Sequence, residues 1–490
     1  MSKISILHIS DLHKKEAYDF DNLYDSIVED SVVYVAQGIM KPNVIVVSGD
    51  LIRGGAPEEI DAQYSESKEF IEKLTAYFLN GDKRRIVIVP GNHDVDWNIS
   101  KAVMKSIPRP QPQLTEGWSP EEKEEAEKKY AKEKSEYDRI MTLFRNGELP
   151  YNRWDWDAQD LKCIEDKVTY MKRFGKFASF YEDFYGKEFP LNPKEQYRLF
   201  DLPDEGFCFV GFNSCNYNDH LNHSGKIAPQ CVTSASKEMA VLKDRVFIGV
   251  WHHNINGIPI VDNYLDYRVL DSLLKMDMRI GLHGHQHYSS VIKRYKNVDK
   301  EDNYMYLIST GSLYGTSDVL NYGTPRQYNI LELERREDIL DIKLHLREDE
   351  NKEEYDLPSW VEGTVFGVNK QHWHTTMSIH TTMSEDEEIS SIISEAMRTG
   401  HYHGAISKLI ALGDDKPIIR KLIIDFYGNT KDYRGLIYYI GNPRNLDEIT
   451  KIISAAVELN DNEINEYVRS LEPVRASSDA SVKQMLNHLR

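Results

Sequence analysis

The stretch Arg85-Ile86-Val87-Ile88-Val89-Pro90-Gly91-Asn92-His93-Asp94 decides the fold. Its run of β-branched residues, closed by Pro-Gly, reads as a buried strand ending in a sharp turn. The turn sets an amide, an imidazole and a carboxylate side by side at the strand's carboxyl end, the edge where open α/β sheets bind ligands. Alone, such a turn is an ordinary polar loop. Four further stretches of the same kind, each behind a strand-like run, change that reading.

Upstream, residues 3–10 form a strand running into Asp11-Leu12-His13, and residues 43–48 form a second that ends in Gly49-Asp50. Helix-like apolar spacing over residues 23–40 and 66–79 separates the three runs. Strand, helix, strand, helix, strand is the rhythm of a sheet covered by helices. Sheet-like runs return at 206–212, 246–251, 279–282, 304–309, 328–333 and 339–346.

Between them, residues 97–190 break the rhythm. Residues 119–144 are dense in Glu and Lys, the pattern of a solvated helix face. Residues 171–185 carry Phe174, Phe177, Phe180, Tyr181, Phe184 and Tyr185 at helical spacing and read as an inserted helical lid.

Residues 347–356 form an acidic hinge opening a linker, 348–384, in which His-Thr-Thr-Met-Ser occurs at His374 and again at His380, a local duplication. Ser384 with Glu387 is a capping box. Short amphipathic helices follow at 405–412, 417–427, 433–440, 446–459, 464–471 and 482–489, with Gly413, Gly428 and Gly441 as stops. They predict an all-α C-terminal domain, 385–490, with no catalytic constellation.

At 490 residues the chain exceeds one compact core, so two or three domains are expected. With 40% apolar and 28% charged residues it is globular, not disordered. Sixty Lys plus Arg against 79 Asp plus Glu leave a net charge of −19, which argues against non-specific nucleic-acid or membrane binding by the whole surface. A tripartite leader and an apolar stretch of transmembrane length are both missing from the reading. Cys163, Cys208, Cys215 and Cys231 form no CxxC pair and read as reduced thiols, so a cytoplasmic protein is expected.

The five clusters are Asp11-x-His13, Gly49-Asp50, Gly91-Asn92-His93-Asp94, His252-His253 and His283-Gly284-His285-Gln286-His287. Imidazole and carboxylate are ligands that Mn, Fe and Zn accept. In an extended segment residues i and i+2 point to one side, so each DxH or HxH pair reaches one ion or straddles two. Buried polar groups without partners cost several kcal/mol, and a pair of cations compensates them. Arg53 either reaches a phosphate or lies in an exposed loop, and His220 and His223 either line the pocket or belong to a polar loop. His283 reads as support behind the ligands.

The ordered set D-x-H, G-D, G-N-H-D, H, G-H-x-H resembles the signature of the calcineurin-like metallophosphoesterase superfamily, over residues 4–347. The resemblance implies an α/β (α+β) fold, a two-sheet metallophosphoesterase sandwich flanked by helices, with residues 97–190 as helical insert. It implies one divalent ion on Asp11, His13 and His287 and a second on Asn92, His252 and His285, with Asp50 bridging. His252 is preferred to His253 because it directly follows the strand. Manganese is the first expectation, with iron, zinc or nickel as others. His93 then protonates the leaving oxygen or stabilises the transition state, Asp94 orients His93, and metal-activated water attacks in line.

Protein Ser/Thr phosphatases of the superfamily look like GDxVDRG followed by GNHE, whereas this chain has Gly49-Asp50-Leu51-Ile52-Arg53-Gly54-Gly55 and Asn92-His93-Asp94. GNHD continued by Val95-Asp96-Trp97 looks like the bacterial branch of cyclic-nucleotide phosphodiesterases and SbcD-type exonucleases. The resemblance therefore implies a phosphodiesterase acting on nucleic acid or a nucleotide, with residues 385–490 as an assembly module for a protein partner or self-association. Bacterial multi-component defence or repair fits such a module. The acidic balance means that a nuclease draws basic surface from a partner or selects its substrate through a narrow lid. The competing readings are a phosphomonoesterase and a non-catalytic scaffold of the same fold, although scaffolds lose ligands and this chain keeps all of them.

Overall fold

A computed structural model describes residues 2–13, 20–112, 117–242, 244–255, 263–295, 304–315, 320, 323–351, 358–366, 372–379, 385–413 and 416–489. The chain forms two compact units, Met1–Thr381 and Thr382–Arg490.

Period-two alternation builds the first unit. In Ser2–Ile9, Ile4 and Ile6 face one core while Leu7 and Ile9 face another, and Val44–Val47 and Ile86–Ile88 split in the same way. These three strands are parallel and end level, Ile9 beside Val47 and Val47 beside Ile88. From the other edge of Ser2–Ile9 the sheet continues antiparallel through Gln327–Arg336, Ile339–Asp349 and Trp360–Glu362.

A second sheet runs in the order Ser290–Tyr295, Tyr304–Ser309, Met278–His283, Val246–Val250, Phe207–Phe212, Tyr197–Leu202, with the middle four strands parallel. The inner faces share one core, in which Ile4, Val46 and Val87 join Phe209, Ile248 and Leu282. Helices Phe20–Ala36 and Pro57–Leu79 cover the outer face of the first sheet, and Pro229–Met239 and Arg268–Lys275 cover that of the second. The two-sheet sandwich flanked by helices is therefore borne out.

Three expectations change. The insert is not purely helical: Met104–Ile107, Asn152–Asp155 and Asp160–Ile164 form a small antiparallel sheet beside the exposed helix Pro120–Arg145. The aromatic helix Gly175–Tyr185 is not a lid, because Phe177, Phe180, Tyr181 and Phe184 are buried in the first core, Phe180 stacked on Tyr64 with centroids 5.3 Å apart.

The segment expected as a linker holds two strands, Trp360–Glu362 and His372–Ser378, both paired with Ile339–Asp349. Trp360 explains the first: its ring meets Tyr328 edge-on at 4.8 Å and its indole N–H donates to Ser26 Oγ at 2.9 Å. Arg347, at the expected hinge, is instead buried and donates to Asp30 Oδ2 at 2.9 Å. His374 lies on the second strand; His380 and the Ser384–Glu387 capping box lie outside the described residues.

The second unit is all helical, from Glu385–Thr399 to Ala480–Leu486. Several of its helices start on side-chain caps such as Asn445 and Asp461, left-handed Lys431 and Asn460 end two of them, and Gly441 at positive φ ends a third. Gly428 lies inside helix Pro417–Thr430 and is not a stop. A buried pair, Arg420 with Glu448 at 2.9 Å, ties that helix to Leu446–Leu459. Among the described residues no helix is long and apolar enough to cross a membrane.

Candidate metal centre

Five strands, three parallel in the first sheet and two parallel in the second, bring their carboxyl ends to one place, and each is followed by one of the clusters. Asp11 Oδ1 lies 3.2 Å from His287 Nε2 and 3.7 Å from His13 Nε2, and the two imidazole nitrogens are 3.2 Å apart. Asp50 Oδ2 lies 3.8 Å from His13 Nε2 and 3.2 Å from His252 Nε2. Asn92 Oδ1 lies 2.9 Å from His252 Nε2 and 2.8 Å from His285 Nδ1. Three overlapping groups result: Asp11, His13, His287; His13, Asp50, His93; and Asp50, His252, His285.

The backbone makes this convergence. Asp11, His13, Asp50, His285 and His287 all have positive φ, between 45° and 70°, a region that costs roughly 1–2 kcal/mol for a residue with a Cβ. The pairs at i and i+2 thus meet through left-handed turns and not through an extended segment. Gly91 is packed so closely that a Cβ there would stand 2.1 Å from Asp50 Oδ1.

The charges follow from the packing. The Ser48 carbonyl accepts from His252 Nδ1 at 2.8 Å and so turns Nε2 toward Asp50, Asn92 and His285. Acceptors this close need a positive charge among them. Burial opposes protonation of His252, yet Asp50 and Asp11 raise it to about 9. Burial also opposes ionisation of Asp50, but His252 and His93 hold it well below the usual carboxylate range, as His287 and His13 hold Asp11. His285, lowered by burial and then by His252 to about 3, stays neutral, with a proton on one ring nitrogen and a lone pair on the other. His13 is lowered by burial to about 4. Asp11 Oδ1 and His285 Nε2 are buried without a hydrogen bond. This nitrogen and oxygen donor set fits divalent cations of the Mn, Fe, Zn and Ni group.

His93 faces the same cluster: its amide donates to Asp50 Oδ1 at 2.8 Å and its ring lies edge-on to His13 at 4.7 Å. The expected role of Asp94 is corrected. Its carboxylate accepts from the Gly91 amide at 2.8 Å, the Leu51 amide at 3.3 Å and the Tyr64 hydroxyl at 3.1 Å, while His93 Nδ1 bonds the Arg53 carbonyl at 2.9 Å. Asp94 follows Asn92 in a single 3₁₀ turn, so it points back into the loop it closes. Burial and then Asp50 push its pKa up to about 7.

His253 bonds Ser214 Oγ at 2.8 Å and is in none of the three groups. His283 stacks on Trp251 behind the ligands. His223 lies flat on Trp97, which stacks on His93, and His220 bonds Ser100. The sequence pattern marked Trp97 only as part of the Val95-Asp96-Trp97 continuation and gave neither it nor Ser214 a place at the site. Trp97 follows the GNHD turn by three residues, which was a readable signal; Ser214 carried none.

The sequence matches the calcineurin-like phosphoesterase family over residues 4–289. A comparison with curated proteins finds no match. Among solved structures, the chain is similar to GAP50, the anchor in the inner membrane complex of Plasmodium, at 10% identity and TM-score 0.36, covering 79% of this chain and 92% of that one. It is also similar to the calcineurin-like phosphoesterase YfkN from Bacillus subtilis, at 12% identity and TM-score 0.30, covering 82% and 98%. A third is TT1561 of Thermus thermophilus, at 10% identity and TM-score 0.29, covering 67% and 93%.

Proposed function

Because the chain belongs to the calcineurin-like phosphoesterase family, we propose that it hydrolyses phosphodiesters of nucleic acid or nucleotides with the help of two divalent cations. One observation carries the metal reading: His252 Nε2, Asn92 Oδ1, His285 Nδ1 and the Asp50 carboxylate meet through contacts of 2.8–3.2 Å. In this reading Asp11, His13 and His287 hold one cation, Asn92, His252 and His285 hold the other, and Asp50 is common to both. Divalent cations bound there supply a nucleophile from water at neutral pH and charge neutralisation for phosphoryl oxygens.

The protein's own groups do the rest. His93 donates its Nδ1 proton to the Arg53 carbonyl, which leaves Nε2 as the ring atom that delivers a proton to the leaving oxygen. Asp94 holds the Gly91 and Leu51 amides, and so holds the turn that carries Asn92 and His93. The GNHD turn and Val95-Asp96-Trp97 support the diester preference, with Trp97 stacked 6.3 Å from His93. The helical unit serves as the assembly module, for a protein partner or a second copy. Four free cysteines agree with residence in the cytoplasm.

Turnover of bis(p-nitrophenyl) phosphate and of p-nitrophenyl phosphate with Mn²⁺ tests the proposal. The diester is cleaved by the wild type, and His93→Ala loses about 10²–10⁴-fold in rate. Turnover of the monoester alone assigns a phosphatase instead. No turnover with Mn²⁺, Fe²⁺, Zn²⁺ or Ni²⁺ assigns a scaffold. Single- and double-stranded DNA, RNA, cyclic nucleotides and dinucleotides then rank the substrates.

A further inference from the structure

The loop beside the metal centre has a second face. It leaves strand Phe207–Phe212 at Ser214, whose Oγ accepts the His252 and His253 amides at 3.1 and 3.2 Å. Farther along, Asp219 Oδ2 pins the loop to the insert, accepting from Arg153 Nε and from the Tyr170 hydroxyl, each at 2.7 Å and each buried. His223 then lies on Trp97, with ring centroids 5.4 Å apart and planes 8° from parallel, and Trp97 carries the stack on to His93. The neighbours of His223 in the chain, Asn222 and Ser224, together with Leu221, line a cavity of about 590 Å³. One loop thus both stacks on Trp97 through His223 and lines the cavity through Leu221, Asn222 and Ser224.

The volume lies within the range of small-molecule sites, and the chemistry of the walls is selective. Trp154 and Trp156 meet edge to face at 6.1 Å, and Trp156 is 74% exposed. Phe144 and Arg145 close the other side, at the end of helix Pro120–Arg145. Among the described residues no carboxylate lines the cavity, whereas Arg145 and Arg153 both do, in a chain with 79 acidic against 60 basic residues. Arg153 is matched by Asp219, but Arg145 has no ion-pair partner among the described residues.

We propose that this cavity takes an unpaired nucleobase of the substrate, stacked on Trp156, with Arg145 against a flanking phosphate. The inference rests on the phosphodiester reading above and narrows it to single-stranded nucleic acid or a nucleotide ester, since bases inside a duplex present no free face. Stacking on an indole tolerates every base, because each has a π-face. A local aromatic and cationic site also lets an acidic chain retain a polyanion that its overall charge repels.

Two measurements on the full chain decide it. The first is anisotropy of a fluorescein-labelled oligothymidylate with the divalent ions chelated, which stops hydrolysis. Trp156→Ala binds about ten-fold more weakly than wild type, and Trp156→Phe, which keeps a ring, restores most of the affinity. The second is kinetics with Mn²⁺ on thymidine 5′-(p-nitrophenyl phosphate) and on methyl p-nitrophenyl phosphate, which share a leaving group and differ in the base. Trp156→Ala raises KM for the thymidine ester about ten-fold at unchanged kcat and leaves the methyl ester alone. The proposal is overturned if wild type and Trp156→Ala bind the oligothymidylate alike, or if both esters suffer equally. If neither ester is turned over, the hydrolase reading fails, and the anisotropy still decides the cavity.

Discussion

Asp50→Asn is the substitution on which the two-cation reading turns. The side chains match in shape, and an asparagine Oδ1 keeps the bond from the His93 amide, now 2.8 Å to Asp50 Oδ1. What changes is one buried negative charge, which faces His252 Nε2 at 3.2 Å and His13 Nε2 at 3.8 Å. A unit-charge pair at such a separation is worth about 5 kcal/mol at an effective dielectric of about 20. Burying a carboxylate costs several kcal/mol that an amide avoids, so the net loss of cation binding comes to about 3 kcal/mol. That is roughly a hundred-fold in Kd for each cation that Asp50 touches.

Calorimetric titration of the dialysed chain with Mn²⁺ reads the affinity directly. Thermal melting reads it a second way, because a ligand at about 100 times its Kd stabilises the native state by about 2.7 kcal/mol. Wild type melts later in Mn²⁺, and Asp50→Asn at the same Mn²⁺ concentration loses nearly all of that gain. A variant that binds as many Mn²⁺ ions as wild type, equally tightly, refutes the assignment of Asp50 as the shared ligand.

Two further outcomes concern the frame. Arg347→Ala leaves the Asp30 carboxylate buried without its guanidinium, which should destabilise the first unit by about 3–5 kcal/mol in urea unfolding; an unchanged midpoint refutes the role given to this pair. Burial opposes ionisation of Glu332, but His345 and Lys3 hold its pKa at about 2, below the ordinary 4.5. A depressed carboxyl adds stability above its unfolded pKa and loses it as the pH falls through the folded value. Glu332→Gln is therefore less stable than wild type at pH 6, and the difference shrinks between pH 4.5 and about 2; a difference independent of pH refutes the cause.

The five strand ends were legible because each buried strand writes its own apolar run, such as Ile86–Ile88, and its own terminal cluster. The C-terminal helices were legible for the complementary reason that their 3.6-residue stripes are continuous. Strands Tyr197–Leu202 and Ser290–Tyr295 were not, because as sheet edges they interleave Arg198, Asp201, Lys293 and Arg294 with apolar residues. Trp360–Glu362 is only three residues long and owes its place to Tyr328 and Ser26, contacts more than thirty and three hundred residues away in the chain. The aromatic helix Gly175–Tyr185 shows the same limit from the other side: spacing revealed its stripe, but only the contact with Tyr64 makes it core.

The residues of the candidate site could be picked out in the sequence but their geometry could not, and the difference lies in φ. Extended-strand logic places Asp11 with His13, and His285 with His287, on one side; the structure brings the same pairs together by bending the backbone left-handed at all four, and at Asp50. Five of the twelve non-glycine residues with positive φ among those described are in this one cluster. Each such conformation costs about 1–3 kcal/mol and persists only where its surroundings over-determine it. Here the surroundings are named: the Leu12 and His13 amides both reach the Asp50 carbonyl, at 2.8 and 3.2 Å, and the His285 amide reaches Asp11 Oδ2 at 3.0 Å. Four of the five are thus tied to one another, His13 to Asp50 and His285 to Asp11, so the sandwich itself holds these side chains in place.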